Sequence, residues 1–265
     1  MMFEKLGVQA YTFRDAYQGE KASEKTLAHA FKTLRELGYQ ELQTAGFGEI
    51  GMETYARLAQ ENGIDIVGTH YDYGEMCRDI DEAMRKHTEI LHTSLMGIGG
   101  MPGPARESKE ALFAFIDQFN KIGETIHQYG FKLTYHNHHF EFAKIDEQRT
   151  IMDYLVENLN PQTVSFCLDT HWVQRGGGNP TVWVEKLAGR IDILHLKDMA
   201  VVKEGNEIKP LITEVGNGNI DFDSVIAAAV KGGVKYFCVE QDTCPGDPMD
   251  SLKMSIDYIR PRYMK

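Results

Sequence analysis

The 265-residue chain carries four cysteines, Cys77, Cys167, Cys238 and Cys244, and no two share a C-x-x-C spacing. A thiolate zinc motif and a disulfide framework are thereby excluded, and a reduced, cytoplasmic setting is expected. No stretch approaches the roughly 18 consecutive apolar residues that a membrane-spanning helix requires. The opening MMFEKLGVQAYTF has no apolar segment of signal-peptide length and runs straight into a strand-like pattern. Runs of five or more Lys/Arg are missing, and the formal net charge is −11 with a pI near 5.4. Such a surface does not track phosphate backbones, which argues against nucleic acid as a partner.

What is present is a regular alternation. Strand-like runs occur at 6–13, 39–47, 64–73, 92–100, 131–138, 163–172, 191–199 and 234–242. Between them lie amphipathic stretches such as EKTLAHAFKTLRELG and SKEALFAFIDQFNKIGETIHQYG, with apolar residues at i, i+3, i+4 and i+7 and often a closing glycine. Eight such pairs with no linker-like break predict an α/β fold, a single (β/α)8 TIM barrel over residues 1–265. A doubly wound open sheet would show fewer strands or a glycine-rich turn after the first, and the sequence has neither.

A barrel of this kind works at the C-terminal ends of its strands. Here those ends read GTHYD, TYHNHHFE, LDTHW, LHLKD and VEQD. Strand side chains alternate between faces, so parity sorts them. Ser165, Cys167, Asp169 and His171 share the inner face of one strand, His195 and Lys197 end another, and Cys238, Glu240 and Asp242 a third. Thr134, His136 and His138 face inward from the fifth strand; Gly68, His70 and Asp72 do so from the third.

Asp169, His195 and Glu240 are therefore expected to meet at one mouth, joined by His136 or His138 and by Glu141 just beyond. Each has a plainer reading alone: a strand-end Asp commonly caps the next helix, and a lone His in an apolar strand is commonly a satisfied core residue. Glu240 resists such a reading, because a buried carboxylate is costly without a cation or donors. A mixed O/N set of this type suits one divalent ion, Mn²⁺, Mg²⁺, Co²⁺ or Zn²⁺. Beside such an ion, a positioned imidazole or carboxylate can remove a proton next to a carbonyl. Returning the proton gives isomerisation or epimerisation, and expelling a β-substituent gives a lyase. The segment 200–220, with KEGNEIKP and EVGNGN, is long for a connection and is expected to border the mouth.

In order along the chain, GVQAYTFRD, YHNHHFEF, LDTHWVQRGG, HLKDM, EVGNGNIDF and VEQDTCPGDPMDSLKMS resemble the sugar phosphate isomerase/epimerase group of xylose-isomerase-like TIM barrels. The resemblance covers essentially the whole chain. It implies a divalent metal on Asp169, His195, Glu240 and a strand-5 carboxylate, for which Glu141 is the candidate because His136 stands where relatives carry Glu. His136, His138 and Lys197 are then left for proton transfer. Gln9, Tyr11, His70, His171 and Trp172 become the candidate substrate contacts, Trp172 as a stacking face for a sugar ring. The implied activity is a metal-dependent isomerase or epimerase of a small sugar or keto-sugar. The alternative is a lyase on a 3-keto-glycoside or inosose, and an abasic-site endonuclease or a non-catalytic sugar-binding barrel ranks lower. A homo-oligomeric assembly is left open.

Overall fold

Short apolar runs, several of them rich in Val and Ile, are too brief for helices and form strands instead. The computed structural model, which describes residues 2–265, contains β1 (Gly7–Gln9), β2 (Glu41–Ala45), β3 (Asp65–His70), β4 (Leu95–Ile98), β5 (Lys132–His136), β6 (Val164–Asp169), β7 (Ile191–Leu196), β8 (Asp198–Glu204), β9 (Glu207–Thr213) and β10 (Tyr236–Val239). All but β8 and β9 close into one parallel barrel in the order β1-β10-β7-β6-β5-β4-β3-β2. β8 and β9 pair separately as an antiparallel hairpin.

The helices are α1 (Glu24–Leu37), α2 (Met52–Glu61), α3 (Tyr73–Arg78), α4 (Ile80–Lys86), α5 (Lys109–His127), α6 (Ile151–Asn158), α7 (Thr170–Arg175), α8 (Pro180–Lys186), α9 (Phe222–Lys231) and α10 (Pro248–Tyr263). α5 shows why they form. Ser108 accepts a hydrogen bond from Ala111 N–H at its start, and Leu112, Phe115, Ile116, Phe119, Ile122 and Ile126 form one buried stripe. Each such side chain contributes roughly 1.5–3 kcal/mol by leaving water. α1 ends at Gly38, whose φ of 106° lies in the left-handed region that a side chain would strain. Among the described residues, no helix is long and apolar enough to cross a membrane.

Parity divides the core into two layers. Leu95, Cys167, Ile193 and Cys238 fill the barrel interior, while Leu133, Phe166, Leu168 and Phe237 join the larger core beneath the helices. All eight barrel strands are shorter than the sequence patterns predict, and two of them end in a capped turn. β1 stops at Gln9 and turns into a 3-10 segment, Ala10–Ala16, and β6 stops at Asp169 with α7 following at once. Asp72, placed inside by parity, is exposed and caps α3 through Glu75 N–H.

The strand starts carry polar groups as well. A cleft of about 710 Å³ opens at this N-terminal face, lined in part by Lys5, Glu41, Asp65, Leu95 and Tyr236. Burial pushes the Glu41 carboxyl up to about 7, with Lys5 opposing. A carboxyl raised on folding adds stability below its unfolded value near 4.5 and loses it as pH climbs through about 7. Glu41→Gln is therefore expected to raise the melting temperature relative to the parent at pH 8 and not at pH 4. Equal differences at the two pH values would show that this carboxyl is not desolvated.

Candidate active site

Three of the strand ends converge because the barrel register aligns them. Asp169 pairs with His195 across β6 and β7, and Cys238, two residues before Glu240, pairs with the same His195. His136 pairs with Cys167, one level below Asp169. The ligand atoms of His136, Asp169, His195 and Glu240 lie within 4.8 Å of one another, and all four side chains are buried.

Each of these groups is held from behind. Asp169 divides its carboxylate between two tasks. Oδ1 accepts from Trp172 N–H at 2.8 Å and so caps α7, while Oδ2 has no hydrogen-bond partner among the described residues. Its backbone N–H donates to Asn137 Oδ1 at 2.9 Å. His136 Nδ1 faces the carbonyl of Cys167 at 3.3 Å. A carbonyl only accepts, so Nδ1 carries the proton and Nε2 keeps a free lone pair. His195 Nε2 lies 2.5 Å from Gln43 Oε1, and its Nδ1 is 2.8 Å from Glu240 Oε2 without hydrogen-bond alignment. Unpaired buried atoms are costly, and two of them, Asp169 Oδ2 and His195 Nδ1, point at one common space. That pattern fits a cation held between them.

Lys197 provides the balancing charge. Its ammonium is 3.2 Å from Glu240, 2.5 Å from Asp242 and 3.6 Å from Asp169, and it sits 4.8 Å from the centre of the Trp172 ring. Burial alone would lower its pKa, but Glu240, Asp169 and Asp242 outweigh it and raise it. Burial raises Asp169 to about 6, with Lys197 opposing. Glu240 is also driven up by burial, yet Lys197 and His195 hold it well below the usual range. Burial disfavours charge on His195, but Cys167, Glu240 and Asp169 raise it.

Over this cluster lies a cavity of about 430 Å³, lined by Tyr11, His70, His136, His138, Trp172, Lys197, Glu240 and Asp242 together with Ala45 and Gly99. His70 Nε2, His138 Nδ1 and Trp172 Nε1 are buried without partners among the described residues. Burial lowers His70 to about 3 and His138 to about 4, so both rings are neutral near pH 7.

Several sequence-based assignments are corrected. Glu141 does not face the cluster. Oε1 accepts from Tyr135 O–H at 2.6 Å and Oε2 from His138 N–H at 2.8 Å, so both oxygens are committed to bracing the strand-5 loop. The side chain grouped with Asp169, His195 and Glu240 is His136. His171 is not on the strand: it belongs to α7, faces the Asp198 carbonyl at 3.2 Å and does not line the cavity. Gln9 lies beneath the cavity, hydrogen-bonded to Gln43, His70 and Tyr11 N–H. Tyr11 lines the mouth from the 3-10 segment rather than from a strand. Lys197 sits 4.8 Å from the centre of the Trp172 ring and the His139 ring 5.2 Å from it, while Trp172 Nε1 is buried without a partner among the described residues.

Residues 200–220 do not border the cavity either. They build the β8–β9 hairpin and a loop tied to Asp198, which accepts from the N–H groups of Met199, Gly216, Gly218 and Ile220. A Cβ at Gly218 would sit 2.2 Å from Asp198 Oδ1, so the wrap requires glycine. Gln43 and Asn137 escaped sequence reasoning. For Gln43 the one available signal was an amide at an inward strand position, which looks like any other polar residue until its neighbours are known; Asn137, at the outward position beside His136, gave none.

A second set of side chains, His70, His136, Cys167 and His195, is equally close. Gln43 Oε1 already occupies the Nε2 side of His195 there, which favours the carboxylate-containing set.

The sequence profile of the xylose isomerase-like TIM barrels matches residues 31–262. An inosose dehydratase from Bacillus licheniformis is 29% identical over 154 residues, 53% of this chain and 50% of the relative. The chain thus spans about half the length of the curated relatives it matches. A sugar phosphate isomerase/epimerase from Parabacteroides distasonis superposes with a TM-score of 0.78 at 22% identity, covering 98% of this chain and 94% of that one. A xylose isomerase-like TIM barrel protein from Mycobacterium smegmatis, solved in complex with magnesium, superposes with a TM-score of 0.71 at 13% identity, covering 97% of each. At these identities the two structures establish the fold. With its profile matched along most of its length and its barrel closed as described, the chain belongs to the xylose isomerase-like TIM barrel family.

Proposed function

We propose that this chain is a divalent-metal-dependent enzyme that removes the proton α to the carbonyl of a keto-sugar or keto-cyclitol, with His136, Asp169, His195 and Glu240 as the ligand set. The observation that carries the reading is the orphaned pair, Asp169 Oδ2 and His195 Nδ1, inside a ring of four ligand-type side chains. When bound, the ion supplies positive charge that polarises the carbonyl and stabilises the enolate as it develops. The hard O/N donors suit Mn²⁺, Mg²⁺, Co²⁺ or Zn²⁺, and the magnesium complex of a fold relative supports that range.

The chain's own residues divide the proton work. His138, neutral and cavity-lining, takes the α-proton. Lys197, held charged by three carboxylates, lines the same cavity and serves as the acid. Lys197 is also the one lysine or arginine among the described lining residues, and its charge is already opposed. The cavity therefore favours a neutral, unphosphorylated substrate.

An acid beside the cavity and relatives named inosose dehydratases favour the lyase outcome, in which the C–H electrons expel a β-hydroxyl that leaves as water after protonation by Lys197. Isomerase or epimerase action shares the first step and is favoured by the relative of that name. Incubation with keto-sugars and keto-cyclitols in D₂O is expected to show chelator-sensitive α-exchange. Loss of one water from the product by mass spectrometry identifies the lyase, whereas retained composition identifies the isomerase or epimerase. Absence of metal-dependent exchange on every compound would sink both.

His138→Gln is expected to reduce turnover by about 10²–10⁴ while leaving metal affinity intact. Calorimetric titration with Mn²⁺ tests the ligand set. Asp169→Asn and Glu240→Gln should lose stoichiometric binding, and Glu141→Gln should keep it. Loss of binding in a folded Glu141→Gln protein would return Glu141 to the metal shell.

A further inference from the structure

Two buried amides beneath the cavity take no part in the chemistry above. Gln9 and Gln43 face each other across β1 and β2, and neither is accessible to solvent. Their hydrogen bonds form one directed chain that starts at the backbone. Tyr11 N–H donates to Gln9 Oε1 at 3.3 Å, capping the 3-10 segment. A backbone N–H can only donate, so the Gln9 amide must turn its NH₂ the other way. That group donates to Gln43 Oε1 at 2.8 Å and to His70 Nδ1 at 3.2 Å. Gln43 therefore presents its oxygen upward, and the same oxygen lies 2.5 Å from His195 Nε2. Two acceptors would repel at that distance, so Nε2 carries a proton. The Gln43 NH₂ is left facing Cys167 Sγ at 3.6 Å, a weak acceptor.

We infer that Gln9 and Gln43 are positioning residues that assign the protons of two active-site imidazoles from one backbone N–H. This rests on the reading of His195 as a metal ligand. With Nε2–H held by Gln43, His195 offers Nδ1 to the ion, and any proton displaced by the ion leaves from Nδ1. His70 accepts at Nδ1, so its proton sits on Nε2, the unpaired nitrogen of a cavity-lining ring. His70 thereby acts as a hydrogen-bond donor to a substrate oxygen. Flipping either amide would reverse both assignments: an NH₂ against His195 Nε2 would push the proton onto Nδ1, where the cation belongs.

The test titrates Mn²⁺ alone into the full chain by calorimetry. Gln43→Leu removes the oxygen acceptor and leaves only the weak acceptor Cys167 Sγ, 3.1 Å from His195 Nε2, whereas Gln43→Glu keeps an oxygen at the same place. Gln43→Leu should bind Mn²⁺ about 10- to 100-fold more weakly, while Gln43→Glu stays within a few-fold of the parent. A merely structural role would not be rescued by the carboxylate, so equal weakening in both variants overturns the inference. Unchanged affinity in Gln43→Leu also overturns it. Absence of Mn²⁺ binding in the parent would instead overturn the ligand reading, which keeps the two failures distinct. Long-range ¹⁵N–¹H spectra of the histidine-labelled parent give an arm that needs no variant. They should show His70 protonated at Nε2, and protonation at Nδ1 would refute the relay even if Gln43→Leu does not fold.

Discussion

Asp169, Glu240 and Asp242 are held largely out of water within reach of one ammonium, that of Lys197, and one imidazole, that of His195. Much of the surrounding structure follows from the cost of that arrangement. An uncompensated buried charge costs several kcal/mol, and breaking a buried pair typically costs about 3–5 kcal/mol. The five groups therefore stand or fall together, and they must be placed by rigid elements. Closure of the barrel does this, because each group sits at a strand end whose register is fixed by its neighbours on both sides. The same arrangement leaves Asp169 Oδ2 and His195 Nδ1 without a hydrogen bond among the described residues, where a cation would fit.

The polar groups around the cluster are used economically. Asp169 caps α7 with one oxygen and faces the cluster with the other. Thr170 donates to the carbonyls of His195 and Lys197 and accepts from Lys197 N–H, which ties α7 to the end of β7. Glu141 braces His138 and Tyr135, and Asp198 gathers four backbone N–H groups into the loop that follows the hairpin. Glu141 and Asp198 thus spend their carboxylates on their own loops, whereas Asp169 keeps one oxygen for the cluster. The discriminating feature is whether both oxygens are already satisfied.

The sequence carried the barrel because its periodicities are local. Alternation over four to eight residues and stripes at i, i+3, i+4 and i+7 are read within one segment, and the eight barrel strands appear where those patterns lie. Parity also sorted Cys167 and Cys238 into the barrel interior, where the structure has them. It failed where a strand ended early. His171 and Tyr11 were counted as strand residues, but Asp169 and Gln9 each cap a following turn and stop the alternation two residues sooner. A capping Asp or Gln at a strand end looks the same in sequence as one that continues the strand.

The residue types, their order and the strand ends on which they sit are properties of the sequence alone. They were enough to establish the barrel and to name the neighbourhood of the chemistry. Glu141 was set apart from the cluster only in three dimensions, because Tyr135 O–H and His138 N–H had to be seen filling both of its oxygens. Gln43 was likewise invisible, since its meaning comes from partners 34 and 152 residues away in the chain. Hydrogen-bond satisfaction is a property of neighbours in space, and only the closed barrel makes Gln9, Gln43 and His195 neighbours.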